Sequence, residues 1–250
     1  MTYAVFFIVI LLTNIIQGIT GFAGTILAMP PSIMLVGYSV AKPILNVLAI
    51  FSGVYVFMTH GKHVNWKELR KVAAVMILGI AAGIFLKSLF VGKESLLYKC
   101  LGIFVIVLAV QGYYRQIKPK METPENVPGM GKKGTIQSYS LLVGAGIVHG
   151  MFVSGGPLLI GYLSKVIKDK VSFRATISTI WIILNTIILF DDIHAGFWNA
   201  ELIRLTLIAL PFLIVGMAIG ARLYKSMSQM LFMKLTYVLL FISGISLLVK

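Results

Sequence analysis

Asn14-Ile15-Ile16-Gln17-Gly18-Ile19-Thr20-Gly21-Phe22-Ala23-Gly24-Thr25, running on to Pro30-Pro31, is an apolar stretch that no tidy helix accommodates. Glycine and proline in a helix interior cost roughly 1 and 3 kcal/mol per residue relative to alanine. A second such stretch opens the other half of the chain: Gly144-Ala145-Gly146-Ile147-Val148-His149-Gly150-Met151-Phe152-Val153-Ser154-Gly155-Gly156-Pro157. In a membrane, interrupted segments at corresponding places in two halves point to a transporter's binding site.

A membrane is the solvent that the composition demands. Of 250 residues, 58% are hydrophobic and 12% charged, with a mean hydropathy of +0.95, whereas a soluble domain carries about 25% charged residues. Apolar runs recur at Val5–Ile16, Val72–Phe85, Cys100–Val110, Ile177–Phe190, Leu205–Ile219 and Leu235–Val249. A crossing needs about 20 mostly apolar residues, so several fit. The first run lacks the basic flank and small-residue cleavage site of a signal peptide, and reads as part of the mature structure. One cysteine, Cys100, excludes an internal disulfide framework and reads as a packed thiol. The net charge of +14 reflects topology rather than nucleic acid, because Lys and Arg gather in cytoplasmic loops.

Prolines and glycines among Lys and Glu make 116–136 a cytoplasmic linker between a first transmembrane repeat, 1–115, and a second, 137–250. An offset of 132 residues lays Gly18 on Gly150, Gly24 on Gly156, Lys42 on Arg174, Gln17 on His149 and Trp66 on Trp198. After a five-residue shift, Gly79-x-x-x-Gly83 falls on Gly216-x-x-x-Gly220, small-residue pairs that let helices approach closely in bilayers. A shared cation and a shared tryptophan favour internal duplication over chance. Each half then holds the broken stretch and three spans, near 41–58, 69–91 and 95–114, and near 173–190, 201–223 and 229–249.

Charge placement orients the halves. Basic clusters occur at Lys62–Lys71, in the linker and at Lys165–Arg174, while 191–201 contains no Lys or Arg and should face outward. Single crossings at the broken stretches would put the second and third clusters on opposite sides. Hairpins that enter and return put all three inside. Arms of about 12–16 residues also suit half-helices. The fold class is therefore all-α polytopic, two inverted repeats, each a broken or re-entrant helix hairpin plus three transmembrane helices. Eight continuous transmembrane helices are the alternative.

Gly18-x-x-Gly21-x-x-Gly24 leading to Pro30, with Gly150-x-x-x-x-Gly155-Gly156-Pro157 in the second half, resembles the sulfite exporter TauE/SafE family over nearly the whole chain. Ala23 stands where the family often has another glycine, and Val153 stands where the first half has Gly21. The resemblance implies a secondary transporter that exports a small sulfur-containing anion (sulfite, sulfoacetate or a related organosulfonate) across the cytoplasmic membrane. An anion channel, or a transporter of another small anion or metabolite, is the alternative. The implied partners are that anion and the lipid bilayer, with no nucleic acid. A homodimer stays open.

An oxyanion in a bilayer needs positive potential at low desolvation cost. A helix N-terminus supplies about half a positive charge and unpaired N–H donors, and glycine lets an anion approach them. A break at Thr20–Gly24 would start a half-helix near Thr25, and one at Val153–Gly156 would start another at Pro157. Two such ends meeting near the midplane would hold the anion among Gly21, Phe22, Gly24, Gly155 and Gly156, with Thr20, Thr25 and Ser154 adding hydroxyls. Close helix packing is the other use for such glycines. Lys42 and Arg174 could supply full charges or snorkel to the headgroups. Gln17 and His149 each precede a break, and the histidine could couple protons or be held structurally. Asn14, Asn46, Ser178 and Asn185 could line the pathway or bond across helices. His60-x-x-His63 and Asp191-Asp192-x-His194 lie in expected loops and lack a zinc ligand set, so no metal is assigned. No cofactor motif and no catalytic constellation occurs, and the chain reads as no enzyme.

Overall fold

The computed structural model describes residues 2–89, 94–117, 132–153 and 155–248. They form α1 (Thr2–Thr20), α2 (Ala23–Val36), α3 (Tyr38–His60), a 3-10 turn (Gly61–His63), α4 (Trp66–Leu89) and α5 (Glu94–Ile117). After the linker come α6 (Lys132–Phe152), α7 (Gly156–Val166), α8 (Lys170–His194), α9 (Ala200–Ser226) and α10 (Gln229–Leu248). No strand occurs among the described residues, and the chain is an all-α, multi-pass membrane protein. Among those residues α1, α3, α4, α8 and α9 are long and apolar enough to cross a bilayer, while α5 and α10 fill the two other expected spans. Most of the linker, 118–131, lies outside the described residues, as does the side chain of Cys100.

Both broken stretches fold back on themselves. Ten or eleven residues of continuous helix span about 15 Å. Yet a Cβ on Gly24 would stand 2.8 Å from the carbonyl oxygen of Thr13. Likewise Gly155 lies against the carbonyl of Ala145 and, at 2.8 Å, the Cβ of His149. The arms are unequal, correcting the expected 12–16 residues: α1 has 19 and α6 has 21, against 14 for α2 and 11 for α7. Each first arm extends through the apolar or small residues that precede its glycines, and the left-handed residue at the break stops it.

The chain packs as two compact units, each drawn from both sequence halves. One comprises Met1–Asn65 and Arg174–Ser228. In it α1 lies parallel to α9, with the Cβ position of Gly216 2.7 Å from the Leu11 carbonyl oxygen and that of Gly18 2.9 Å from the Met217 carbonyl oxygen. The α3 and α8 helices run antiparallel: Lys42 meets Asp192, Asn46 meets Asn185, and Gly53 meets Ile182 and Ser178. Asn199 caps α9, its Oδ1 accepting from Leu202 N at 2.9 Å.

The other unit comprises Trp66–Phe173 and Gln229–Lys250. Here α4 lies parallel to α6 through the equivalent glycine contact, with the Cβ position of Gly79 2.6 Å from the Val143 carbonyl oxygen and that of Gly150 2.5 Å from the Ile80 carbonyl oxygen. The α5 and α10 helices run antiparallel, Gly102 meeting Gly244 and Gly112 meeting Tyr237. Tyr162 ties α7 to α4, its hydroxyl donating to Glu68 Oε2 at 2.6 Å and accepting from Lys71 Nζ at 2.8 Å. Lys71 Nζ also stands 5.1 and 5.4 Å from the ring centroids of Tyr162 and Tyr139.

Candidate functional site

The α1–α2 hairpin turns at Gly21, whose φ of +82° places it in the left-handed region where glycine carries no Cβ penalty. Gly21 N donates to Gln17 O at 2.7 Å, closing the last turn of α1. Thr20 Oγ1 accepts from Ala23 N at 3.0 Å and from Phe22 N at 3.3 Å. Gln17 Oε1 accepts from Gly24 N at 2.8 Å, and Gln17 Nε2 donates to Ser52 Oγ at 3.1 Å.

These bonds correct two expectations about this tip. The N–H groups of Ala23 and Gly24 are not open to a ligand, because Thr20 and Gln17 already satisfy them; orphan donors at a helix start take the nearest acceptor. Nor does Gly24 leave room for an anion, since its Cβ position is filled by Gln17 Cβ at 2.5 Å and the Thr13 carbonyl. That glycine serves close packing of the two arms.

Behind the turn, a small, partly open cleft with room for little more than one water is lined by Thr13, Asn14, Gln17, Gly24, Thr25, Ala28, Leu45, Leu48, Ala49 and Ser52. Thr13 and Ser52 were not apparent from sequence, because a hydroxyl within an apolar run carries no positional signal.

The tip's outer side is held by α8. Arg174 Nη2 donates to the Gly18 carbonyl at 2.6 Å, and its Cζ sits 4.7 Å from the ring centroid of Tyr224. Ser178 Oγ donates to Gly21 O at 3.2 Å. Arg174 is 2% exposed and its Nε has no hydrogen-bond acceptor. No carboxylate lies within ion-pair distance of it among the described residues. The negative end of α1 and the tyrosine face supply its compensation.

Lys42, its sequence counterpart, is fully buried and bonded to Asp192, with Asp191 at 3.6 Å. Its ammonium stands 5.8 Å from the ring centroid of Phe197. The snorkelling alternative thus fails for both cations. Asp191 and Asp192 also move from the expected loop into the last turn of α8, and His60 closes α3. Asn46 Nδ2 donates to the Asn185 backbone carbonyl at 3.0 Å, while Asn46 Oδ1 and Asn185 Oδ1 accept from no donor.

In the other unit, Val153 turns the α6–α7 hairpin with φ +54°, and Val153 N donates to His149 O at 2.7 Å. The geometry repeats that of Gly21 with a β-branched residue in the left-handed region, a true outlier. His149 is buried on α6, and Gly155 and Gly156 begin α7 with no side-chain cap. Ser154 lies outside the described residues. Gln17, Gly24 and Thr25 therefore share the cavity, Thr20, Gly21, Phe22, Arg174 and Ser178 surround the turn, and Lys42 and Asn46 lie further along α3.

No solved structure matches the chain. The chain is similar to the "Probable inner membrane transporter protein TsaS" of Comamonas testosteroni, 25% identical over 205 residues that make up 80% of this chain and 81% of that one. The family profile described as Sulfite exporter TauE/SafE matches residues 6–247, and with so nearly complete a match the chain belongs to that family.

Proposed function

We propose that this protein is a secondary transporter that exports a small sulfur-containing anion, such as sulfite, sulfoacetate or a related organosulfonate, across the cytoplasmic membrane by alternating access. Membership of the sulfite exporter family and likeness to a probable inner membrane transporter support the reading. One observation supports its location: Arg174 is a buried guanidinium with no carboxylate within ion-pair distance among the described residues, held against the turn of a helical hairpin. The anion supplies the missing counter-charge there, with the Ser178 hydroxyl beside it. Thr25, Gln17 and Ser52 line the adjoining polar cavity.

Alternating access by inverted halves is supported by helix directions. Were each broken stretch one crossing, the second half would repeat the first in the same sense, and equivalent helices would run parallel. Instead the equivalent pairs α3/α8 and α5/α10 run antiparallel. Hairpins at both breaks produce that arrangement.

Thermal shift of detergent-purified protein with sulfite, sulfoacetate and inorganic sulfate tests the site, because a ligand of the folded state raises apparent stability. Losing a charge-assisted hydrogen bond costs about 2 kcal/mol. Arg174→Gln should therefore weaken anion affinity by roughly thirtyfold. Equal anion affinity in a folded Arg174→Gln variant refutes the assignment. Accumulation of sulfoacetate against its gradient in proteoliposomes separates a transporter from a channel.

A further inference from the structure

We propose that the buried Lys42–Asp192–Asp191 cluster is a proton-binding site that drives the anion's movement; this rests on the transporter reading above. The Lys42 and Asp192 side chains are both fully buried, in helices long and apolar enough to cross a bilayer. Ionisable groups placed there are costly and mark ion or proton pathways.

Charge counting gives the cluster room for one proton. Two carboxylates lie within ion-pair distance of a single ammonium among the described residues, so with all three ionised this trio carries an excess negative charge. That charge sits at the C-terminal end of α8, where the helix dipole disfavours anions. One proton from the solvent, taken by a carboxylate oxygen, leaves Lys42 as ammonium and makes the cluster neutral. The Asp191 side chain is 23% exposed and 3.6 Å from Lys42, whereas Asp192 is fully enclosed. Asp191 therefore offers the entry and Asp192 the buried acceptor.

The surrounding elements add little competing charge. The sequence of α2 has no ionisable side chain and that of α1 has Tyr3 alone. At this end of α9, Glu201 accepts from the Tyr3 hydroxyl at 3.2 Å, and Arg204 lies in the same first turns. His194 follows the pair on α8 itself. The link to the anion is mechanical: α8 carries Asp192 at one end and Arg174 and Ser178, which grip the α1–α2 turn, at the other. Protonation that loosens α3 from α8 shifts the helix that holds the tip.

Two readouts test this. Infrared difference spectra of anion-free protein between neutral and acid pH should show a protonated carboxyl band that disappears in Asp192→Asn or Asp191→Asn and survives in Glu201→Gln. In proteoliposomes, one proton per anion converts a gradient of about one pH unit into about tenfold sulfoacetate accumulation. The Lys42→Met/Asp192→Asn double variant, chosen because removing both partners leaves no stranded Lys42 charge, should abolish that accumulation while retaining sulfoacetate exchange. Accumulation equal to wild type in the folded double variant overturns the proposal, as does a carboxyl band indifferent to both aspartate variants. Wild-type protein that shows the band yet moves no sulfoacetate refutes the anion reading and leaves the proton site standing.

Discussion

Gly21→Ala tests whether the first hairpin turns as described. Gly21 has φ +82°, and an L-residue in the left-handed region costs roughly 1–2 kcal/mol. The new Cβ would lie 2.8 Å from Ser178 Oγ and 3.1 Å from Arg174 Cγ. Ser178 Oγ is bonded to the carbonyl of Gly21 itself, so displacing it forfeits a hydrogen bond of about 1 kcal/mol. Together these give about 2–3 kcal/mol of destabilisation. Val153→Gly, at the equivalent turn, relieves strain of about 1–2 kcal/mol while giving up a buried isopropyl group and adding chain freedom. The lost burial, about 1.5–3 kcal/mol, and the added chain freedom, about 0.5–1 kcal/mol, outweigh that relief by about 1 kcal/mol. Equilibrium unfolding of the detergent-solubilised variants should therefore show a loss of about 2–3 kcal/mol for Gly21→Ala and a smaller one for Val153→Gly. A Gly21→Ala protein as stable as wild type would mean that the turn is not left-handed, and the placement of Arg174 against it would fall too.

Gly24→Leu has no space, with backbone and Gln17 atoms inside 3 Å, and should fail to yield a monodisperse protein. Gly161→Leu, which meets nothing within 4 Å, should purify normally, and size-exclusion profiles would decide both. Lys42→Met alone strands Asp192 in the core and should lower stability by about 3–5 kcal/mol in denaturant titration, with the Lys42→Met/Asp192→Asn pair recovering most of it. Gly216→Ala and Gly79→Ala overpack equivalent helix contacts and should each cost about 1–3 kcal/mol. A large effect in only one of them would speak against a shared packing device.

The helical breaks were legible because backbone chemistry is local. Glycine clusters interrupt helices: Gly21 ends α1, and Gly155–Gly156 open α7 just after the turn at Val153. Glycine pairs at four-residue spacing also announced close contacts, although not which helix would supply the partner. The occupants of the α2 start were not legible. A glutamine or threonine one turn before a break can bond a ligand or bond the next helix, and only the reversal at Gly21 decides for Gly24 N and Ala23 N. Asp192 was harder still. Its partner is 150 residues away, and a polar Asp-Asp pair after an apolar run reads as a loop although the helix continues through it. Hydropathy reports the mean environment of a segment, and a buried ion pair is invisible to it.

The two cations related by the 132-residue offset show why the halves need not act alike. Both side chains are buried, and burying one uncompensated charge costs several kcal/mol even after relaxation. Two would double that cost in an empty transporter. Asp192 removes it at Lys42, whereas Arg174, among the described residues, meets carbonyl and ring electrons and no carboxylate. One unneutralised cation leaves an empty state that is tolerable and an anion-bound state that is better, which is the condition for binding. Adding a carboxylate beside Arg174 should therefore compete with the anion, while removing Asp192 should create a rival cation at Lys42. Ser178→Asp, next to the turn that Arg174 holds, realises the first case. It should abolish the thermal shift given by sulfoacetate in protein that still folds, and an undiminished shift would place the anion's counter-charge elsewhere.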